Sequence, residues 1–457
     1  MAQVISSDYD IYPKVFPENK IEEIKIKPLG IHADFTPGVE YEVHVRPLSE
    51  SSTIYYPDRQ NIFRYRCQAE TDGCLRFSHA FAGEQEHFIR IYQDDKPVVR
   101  LSVYSVRDDL VGRYPYLGDL HLHSCRSDGR EAPALVCANC RKLGYDFLAV
   151  TDHRRYYPSL EAIAAYADVP LDLAIIPGEE VHLPDNDVHI INFGGQYSVN
   201  GLVDTVAQVL EKGEADRNYE DYPCPEILSA DQYREQVRQL QAILNVPANL
   251  EGFTYASCVW IFNHIKAGRG LGIYCHPYWI SDSFHVPEDL NEYMLEQHPF
   301  DAFEVLGGEA YFEQNGFQAA AYTESRLKGV HFPIVGSSDN HNTSRDLSAT
   351  GSENGFVART IVFSPANERA ALIDSIKNYY SVAVDSISKE LRLVGEFRFV
   401  KYGCFLLKNF FPLHHELCFE EARLMKDYAC GVPGAEEGLR YIAGRMQRQR
   451  EHYFDFN

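Results

Sequence analysis

Residues 118–129 read GDLHLHSCRSDG and bring Asp119, His121, His123 and Asp128 into one short segment. The segment opens like a buried strand, where alternate side chains share a face. Asp119, His121 and His123 then point one way, Leu120 and Leu122 the other. Two imidazoles on one strand face can hold a metal ion between them, and Asp128 can close the site or bridge to a second ion. Ser127-Asp128-Gly129 supplies the turn that leads on to a helix. The same residue types recur where other apolar stretches end. Residues 147–153 (FLAVTDH) end in Asp152 and His153, and residues 173–181 end near Glu179 and Glu180. His189 lies in VHII, His276 ends LGIYCHP, and Asp339 and His341 end FPIVGSSDNH. Packing does not account for this, because buried charge is costly unless it is paired or metal-bound.

These clusters need elements to carry them. From Tyr116 to about Asp385 the chain alternates short apolar strands with helical segments, expected at 132–143, 159–167, 290–297, 314–328 and 367–378. Such alternation implies parallel strands with crossover helices, and in a β/α barrel the functional groups sit at the C-terminal ends of strands. Every cluster above except His189 falls at such an end. A polar stretch at about 196–258 breaks the alternation and contains an amphipathic helix, 231–244, expected as an insertion over the barrel mouth that acts as a lid. His264, on a helical stretch at 259–266 with no motif around it, is read as structural.

Before this region, residues 20–106 are read as all-β, with strands at 40–46, 61–66, 87–92 and 98–104 separated by turn signals at Pro37-Gly38, Asp72-Gly73 and Asp94-Asp95. That punctuation suggests a β-sandwich. After residue 386 come a strand-like 391–401, an apolar run at 405–411 and a helical tail, 435–454. The expected domains are a β-sandwich at 1–113, a β/α barrel at 114–385 and a short C-terminal α/β extension at 386–457.

The 457 residues exceed what one core usually organises. Hydrophobic residues at 45% indicate a folded protein, and the formal charge of −23 disfavours binding to long nucleic acid. No basic flank with an apolar core opens the chain, and no apolar run reaches membrane-spanning length. The eleven cysteines are scattered, which fits reduced thiols in a cytoplasm. Cys137 and Cys140 form a C-x-x-C pair on a helix with no partner pair, so core packing is the expectation. Composition leaves the oligomeric state open.

Taken together, 119–129, TDH at 151–153, Gly178-Glu179-Glu180 with His189, CHP at 275–277 and SDNH at 338–341 resemble the signatures of the PHP (polymerase and histidinol phosphatase) superfamily, in that family's order. The resemblance covers roughly residues 115–386. It implies a distorted (β/α)7 barrel holding two or three divalent ions, and phosphoesterase activity. Carried over by position, it implies metal ligands at His121, His123, Asp128, His153, Glu180, His189, His276, Asp339 and His341. On geometry alone Glu180 and His182, two residues apart, would share a strand face; the resemblance takes His189, which restarts an apolar strand. Asp119 and Asp152 are placed as partners that orient a ligating imidazole.

So many imidazoles suit Mn, Fe or Zn better than Mg. The expected reaction is hydrolysis of a phosphate ester of a small metabolite or nucleotide by a metal-activated water, with no protein nucleophile. His121, His123, Asp128, His276, His341 and Arg154 are the expected catalytic residues. Arg126, Arg154 and Arg155 sit beside the ligand motifs, where they can clamp a phosphate, and His341 or His276 can protonate the leaving group. The rival readings are an end-trimming nuclease on short oligonucleotides, a metal-dependent hydrolase of amides or lactones, and a non-catalytic metal-binding scaffold.

Overall fold

The computed structural model describes residues 6–30, 32–50, 61–204, 224–307, 312–344, 358–386 and 392–456. The chain divides into two units: Met1–Tyr114 with Lys401–His414 and Gly444–Asn457, and Pro115–Val400 with His415–Ala443.

The first unit holds β1 (Tyr9–Tyr12), β2 (Val15–Pro17), β3 (Lys20–Pro28), β4 (Glu40–Pro47), β5 (Phe63–Gln68), β6 (Leu75–Phe81), β7 (Gln85–Gln93) and β8 (Lys96–Val106). They form a three-stranded sheet, β1-β3-β6, and a five-stranded sheet, β2-β8-β7-β4-β5. Alternation explains the burial. Tyr41, Val43 and Val45 of β4 and Ile89 and Ile91 of β7 turn inward to meet Ile24 and Ile26 of β3 in one apolar core. Near its C-terminal end, β8 sets Tyr104 against Tyr402 and Phe405, with ring centroids 4.9 and 5.3 Å apart.

The second unit holds β9 (Tyr114–Asp119), β10 (Phe147–Ala149), β11 (Ala174–Ile176), β12 (Gly178–Val181), β13 (Ile190–Phe193), β14 (Leu271–Tyr274), β15 (Ala302–Leu306), β16 (Ile334–Gly336), β17 (Ala358–Ser364), β18 (Ser381–Asp385) and β19 (Arg392–Val394). Helices follow the strands at Pro133–Lys142, Tyr157–Ala165, Glu288–Gln297, Phe312–Leu327 and Arg369–Lys377, each overlapping a helix read from the sequence.

The strands do not close into one barrel. They form a six-stranded sheet, β11-β10-β9-β17-β18-β19, and a five-stranded sheet, β12-β13-β14-β15-β16. The junctions β12–β13, β13–β14, β17–β18 and β18–β19 are antiparallel, where a pure β/α barrel would be parallel throughout. Among the described residues, the parallel bridges Leu122–Asn340 and His153–Glu180 connect segments next to the two sheets, and Thr360 of β17 bonds Gly336 of β16.

Two further expectations are corrected. Residues 391–401 are not one strand: after β19 a helix runs Phe397–Asn409, and Leu391 lies outside the described residues. Its buried side chains, Phe399, Tyr402, Phe405 and Leu406, recur at helical spacing. Residues 386–457 also form no body of their own, since they are shared between the two units. In the tail, Ala435–Ile442 and Arg445–Tyr453 are separate helices, broken at Gly444 with φ 75°.

Within the inserted stretch, residues 205–223 lie outside the described residues. The helix Ala230–Leu244 starts on a capping box between Ser229 and Gln232. It packs on the helix Gly252–Ala267, where Tyr233 meets Trp260 at 5.2 Å, and its Arg234 bonds Asp185 at 2.6 Å. His264, on that second helix, stacks on Trp260 at 3.7 Å and bonds the Trp260 carbonyl, a structural role. No described helix is long and apolar enough to cross a membrane.

Candidate metal centre

Glu180 is the hub. Strand alternation sends the neighbouring carboxylates of β12 to opposite faces. Glu179 turns away and accepts from the Asn192, Ser198 and Asn200 side chains and from the Val199 N–H, an anchoring role. Glu180 turns inward and meets six imidazoles. Its Oε2 lies 3.4 Å from His121 Nε2, 3.4 Å from His123 Nε2 and 2.6 Å from His153 Nδ1. Its Oε1 lies 2.7 Å from His189 Nδ1, 3.5 Å from His276 Nε2 and 3.7 Å from His182 Nε2.

Asp339 is a second focus, with Oδ1 2.8 Å from His123 Nε2 and 3.2 Å from His121 Nε2. Asp128 is a third and more exposed one, with His153 Nε2 at 3.4 Å and His341 Nε2 at 3.3 Å. All nine residues expected as ligands therefore converge.

These atoms fit metal ions better than they fit one another. His121 Nε2, both ring nitrogens of His123 and His276, His189 Nδ1, both Glu180 oxygens and Asp339 Oδ1 are buried without a hydrogen-bond partner. A native interior rarely leaves so many polar atoms unsatisfied in one place, whereas donors sharing an ion at about 2.1 Å come to roughly 3 Å from each other. Four overlapping groups have ligand-like spacing: His123, Asp128, His153 and His341; His153, Glu180, His182 and His189; His121, His123 and Glu180; and His121, Cys275 and His276.

The electrostatics agree. Burial alone would raise the Glu180 and Asp339 carboxyls, but the surrounding histidines pull both well below the usual range. Burial would lower His121 and His153, yet Asp339 and Glu180 lift His121, and Glu180 and Asp128 lift His153, well above an ordinary imidazole. Burial with the like charges of His341 and His153 drives His123 down to about 3. A divalent cation bound here would take over the role of protons on the His121 and His153 rings and displace them.

The backbone is shaped for this convergence. Arg154, His276 and Asp339 sit at positive φ, 60°, 26° and 52°, a conformation that L residues adopt rarely and that clusters at functional sites. Arg154 donates its N–H to the Glu180 carbonyl at 2.9 Å.

Several roles differ from expectation. Asp119 does not orient an imidazole; its Oδ1 accepts the His121 and Ser338 N–H groups, and burial pushes its carboxyl up to about 7. Asp152 instead fastens the 124–127 turn through Ser124 and Ser127. Arg126 is tied in a two-bonded pair to Glu161, at 2.8 and 2.9 Å. Arg155 is buried. Of the three arginines, Arg154 alone lines the cavity of about 730 Å³ that opens beside Asp128, His153 and His189.

His182, set aside in favour of His189, belongs with it: β12 and β13 pair Val181 with Ile190, so the next residues, His182 and His189, face each other with rings 4.1 Å apart. Glu304 and His285 escaped the sequence reading, and Cys275 entered it only as part of the CHP motif. Glu304 is a lone carboxylate inside the apolar strand AFEVL, and that mismatch was the signal. His285 meets His189 edge-on, with ring centroids 4.3 Å apart. Cys137 and Cys140 are buried, unpaired and part of the core.

No family model matches this chain, and no curated protein does. Among solved structures, a two-domain protein from Bacteroides vulgatus containing a predicted PHP-like metal-dependent phosphoesterase is 16% identical, with 62% of this chain and 76% of that one covered and a TM-score of 0.37. A candidate metal-dependent phosphoesterase from Bifidobacterium adolescentis is 17% identical, covering 52% and 90%, with a TM-score of 0.33. An amidohydrolase from Chromobacterium violaceum with bound sulfate and no metal is 20% identical, covering 50% and 88%, with a TM-score of 0.30. None of the three carries weight for the chemistry, which this chain's own side chains must supply.

Proposed function

We propose that this chain is a metal-dependent phosphoesterase of PHP type, acting on a small phosphorylated substrate. The observation that carries the reading is the convergence of nine His, Asp and Glu side chains, most with buried unsatisfied atoms, around Glu180 and Asp339. The two sheets that share the bridges at Leu122–Asn340 and His153–Glu180 are read as halves of a distorted (β/α)7 barrel. His121, His123, Asp128, His153, Glu180, His189, His276, Asp339 and His341 would hold two or three divalent ions, of Mn, Fe or Zn, with His182 within reach. Bound there, such ions lower the pKa of water and offset charge on phosphate oxygens.

The chain's own groups supply the rest. Arg154 is the lone Lys or Arg lining the cavity among the described residues, and it can bind and orient a phosphate by paired hydrogen bonds. His341, with 27% of its side chain exposed against 3% for His276, is the better placed of the two to pass a proton to the departing oxygen. Asp187 on the cavity wall repels a polyanion, which fits a single phosphate group better than an oligonucleotide.

The test is metal analysis followed by a screen of Mn-loaded protein against phosphomonoesters, cyclic and linear phosphodiesters, nucleoside bisphosphates and short RNA. Turnover of a small ester, lost together with bound metal in His121→Ala, supports the reading. No turnover of any ester, with metal content unchanged in His121→Ala, sinks it. Activity that grows with oligonucleotide length points to a nuclease.

A further inference from the structure

The loop after His276 builds a feature the metal centre does not use. Residues 276–286 fold back as a tight hairpin-like loop. Trp279 donates its N–H to the His276 carbonyl at 3.0 Å and accepts from the His285 N–H at 2.7 Å. Val286 bonds the Pro277 carbonyl at 3.1 Å, and Ile280 bridges Phe284 antiparallel. Trp279 is thus pinned three residues from a metal-binding histidine, a separation of at most about 10 Å along the chain. Trp279 and Phe284 both line the cavity that also holds Asp128, His153 and Arg154. His285 meets the indole edge-on, with centroids 5.6 Å apart and planes at 64°, a contact that covers less of the ring face than stacking does.

We propose that Trp279 is an aromatic platform for the organic half of the substrate, so that the ester hydrolysed carries a planar ring of nucleobase type. This rests on the phosphoesterase reading above and deepens it. A rigid, partly exposed indole offers contact area at little entropic cost, and stacking accepts any π face. The charges favour an uncharged ring over a second anion. Arg154 is the single Lys or Arg on the cavity wall among the described residues, and the wall carboxylate of Asp185 is already bound by Arg234 at 2.6 Å. In the reaction, the oxygen of water bonds to phosphorus, the bond from phosphorus to the ester oxygen breaks, and the proton goes to the departing alkoxide.

Adenosine 5′-monophosphate and ribose 5-phosphate make the discriminating pair, because both release a ribose primary alkoxide and only one carries a base. The wild type is expected to favour the nucleotide in kcat/KM by roughly 5- to 100-fold. In Trp279→Ala the ratio falls toward one; Trp279→Phe keeps most of it. A second readout needs no turnover. The other tryptophan, Trp260, is buried, bonded to Gln236 and stacked on His264, so a soluble base cannot reach it. Adenosine should quench the wild-type indole fluorescence and not that of Trp279→Phe. A ratio near one in the wild type overturns the platform, as does an unchanged ratio in a Trp279→Ala protein with native circular dichroism. If no ester turns over, the phosphoesterase reading fails by itself; adenosine quenching that depends on Trp279 then still supports the platform, and its absence overturns that too.

Discussion

Glu304 places its Oε2 3.1 Å from Nδ1 of His121, with both side chains wholly buried. The other ring nitrogen, Nε2, faces Glu180 and Asp339. This is the arrangement in which a carboxylate fixes the tautomer and angle of a ligating imidazole. The surroundings are cut to fit it, since a Cβ on Gly307 would collide with the Glu304 carboxylate. Glu304→Ala is expected to weaken metal binding by about 10- to 100-fold, and Glu304→Gln, which keeps an acceptor at Nδ1, by less. Titration calorimetry with Mn or Zn measures both. Equal affinity in all three proteins would show that Glu304 only fills space.

His182 and His189 are opposite each other at the end of the β12–β13 hairpin, and both reach Glu180, at 3.7 and 2.7 Å. The shorter distance makes His189→Ala the more damaging change. His182→Ala is nonetheless expected to lower bound metal per chain by elemental analysis, because His182 Nε2 also lies 2.9 Å from His153 Nδ1. Full metal occupancy in His182→Ala would return it to a bystander role.

The two arginines that flank the ligand motifs should separate cleanly in kinetics. Arg154 lines the cavity, while Arg126 is held by Glu161. Loss of a charge-assisted hydrogen bond costs about 1.5–3 kcal/mol, or roughly 10- to 150-fold. Arg154→Ala is expected to raise KM for a phosphate ester within that range, and Arg126→Ala to leave it within about twofold. Comparable losses in both variants would contradict this division.

Much of the centre was legible in the chain because its ligands sit at the ends of apolar strands, where a His or Asp stands out against Leu, Ile and Val. Glu180 was separable from Glu179 by strand alternation once its pairing with β13 was known. What stayed hidden depends on cross-strand register. Nothing in the spacing of His182 and His189 shows that a hairpin sets them face to face. Glu304 lies in a strand with no motif, and its partner His121 is 183 residues away in sequence. The division into two sheets with antiparallel junctions stayed hidden for a related reason: sheet order and strand direction are set by long-range pairing, which local periodicity does not record. Strand β3 went partly unread because KIEEIKIKP exposes Ile21 while burying Ile24 and Ile26, an offset that hides the alternation.

His87 gives the first unit a pH dependence of its own. It lies on β7 with 1% of its surface exposed, and its Nε2 is 2.9 Å from Ser105 Oγ. Burial, with a smaller push from His79, lowers its pKa from 6.5 to about 3. Between those values the unfolded chain holds a proton at this site and the native one does not, so stability rises with pH through the window. The contribution is complete above about 6.5 and is lost as pH falls toward about 3. The shift of 6.5 − 3 corresponds to about 5 kcal/mol as an upper bound. His87→Gln removes the titrating group while keeping a polar partner for Ser105. Thermal unfolding of the full chain at pH 7.5 and pH 5 should therefore show a smaller loss of Tm on acidification in His87→Gln than in the wild type. Parallel losses in the two proteins would place the acid sensitivity elsewhere.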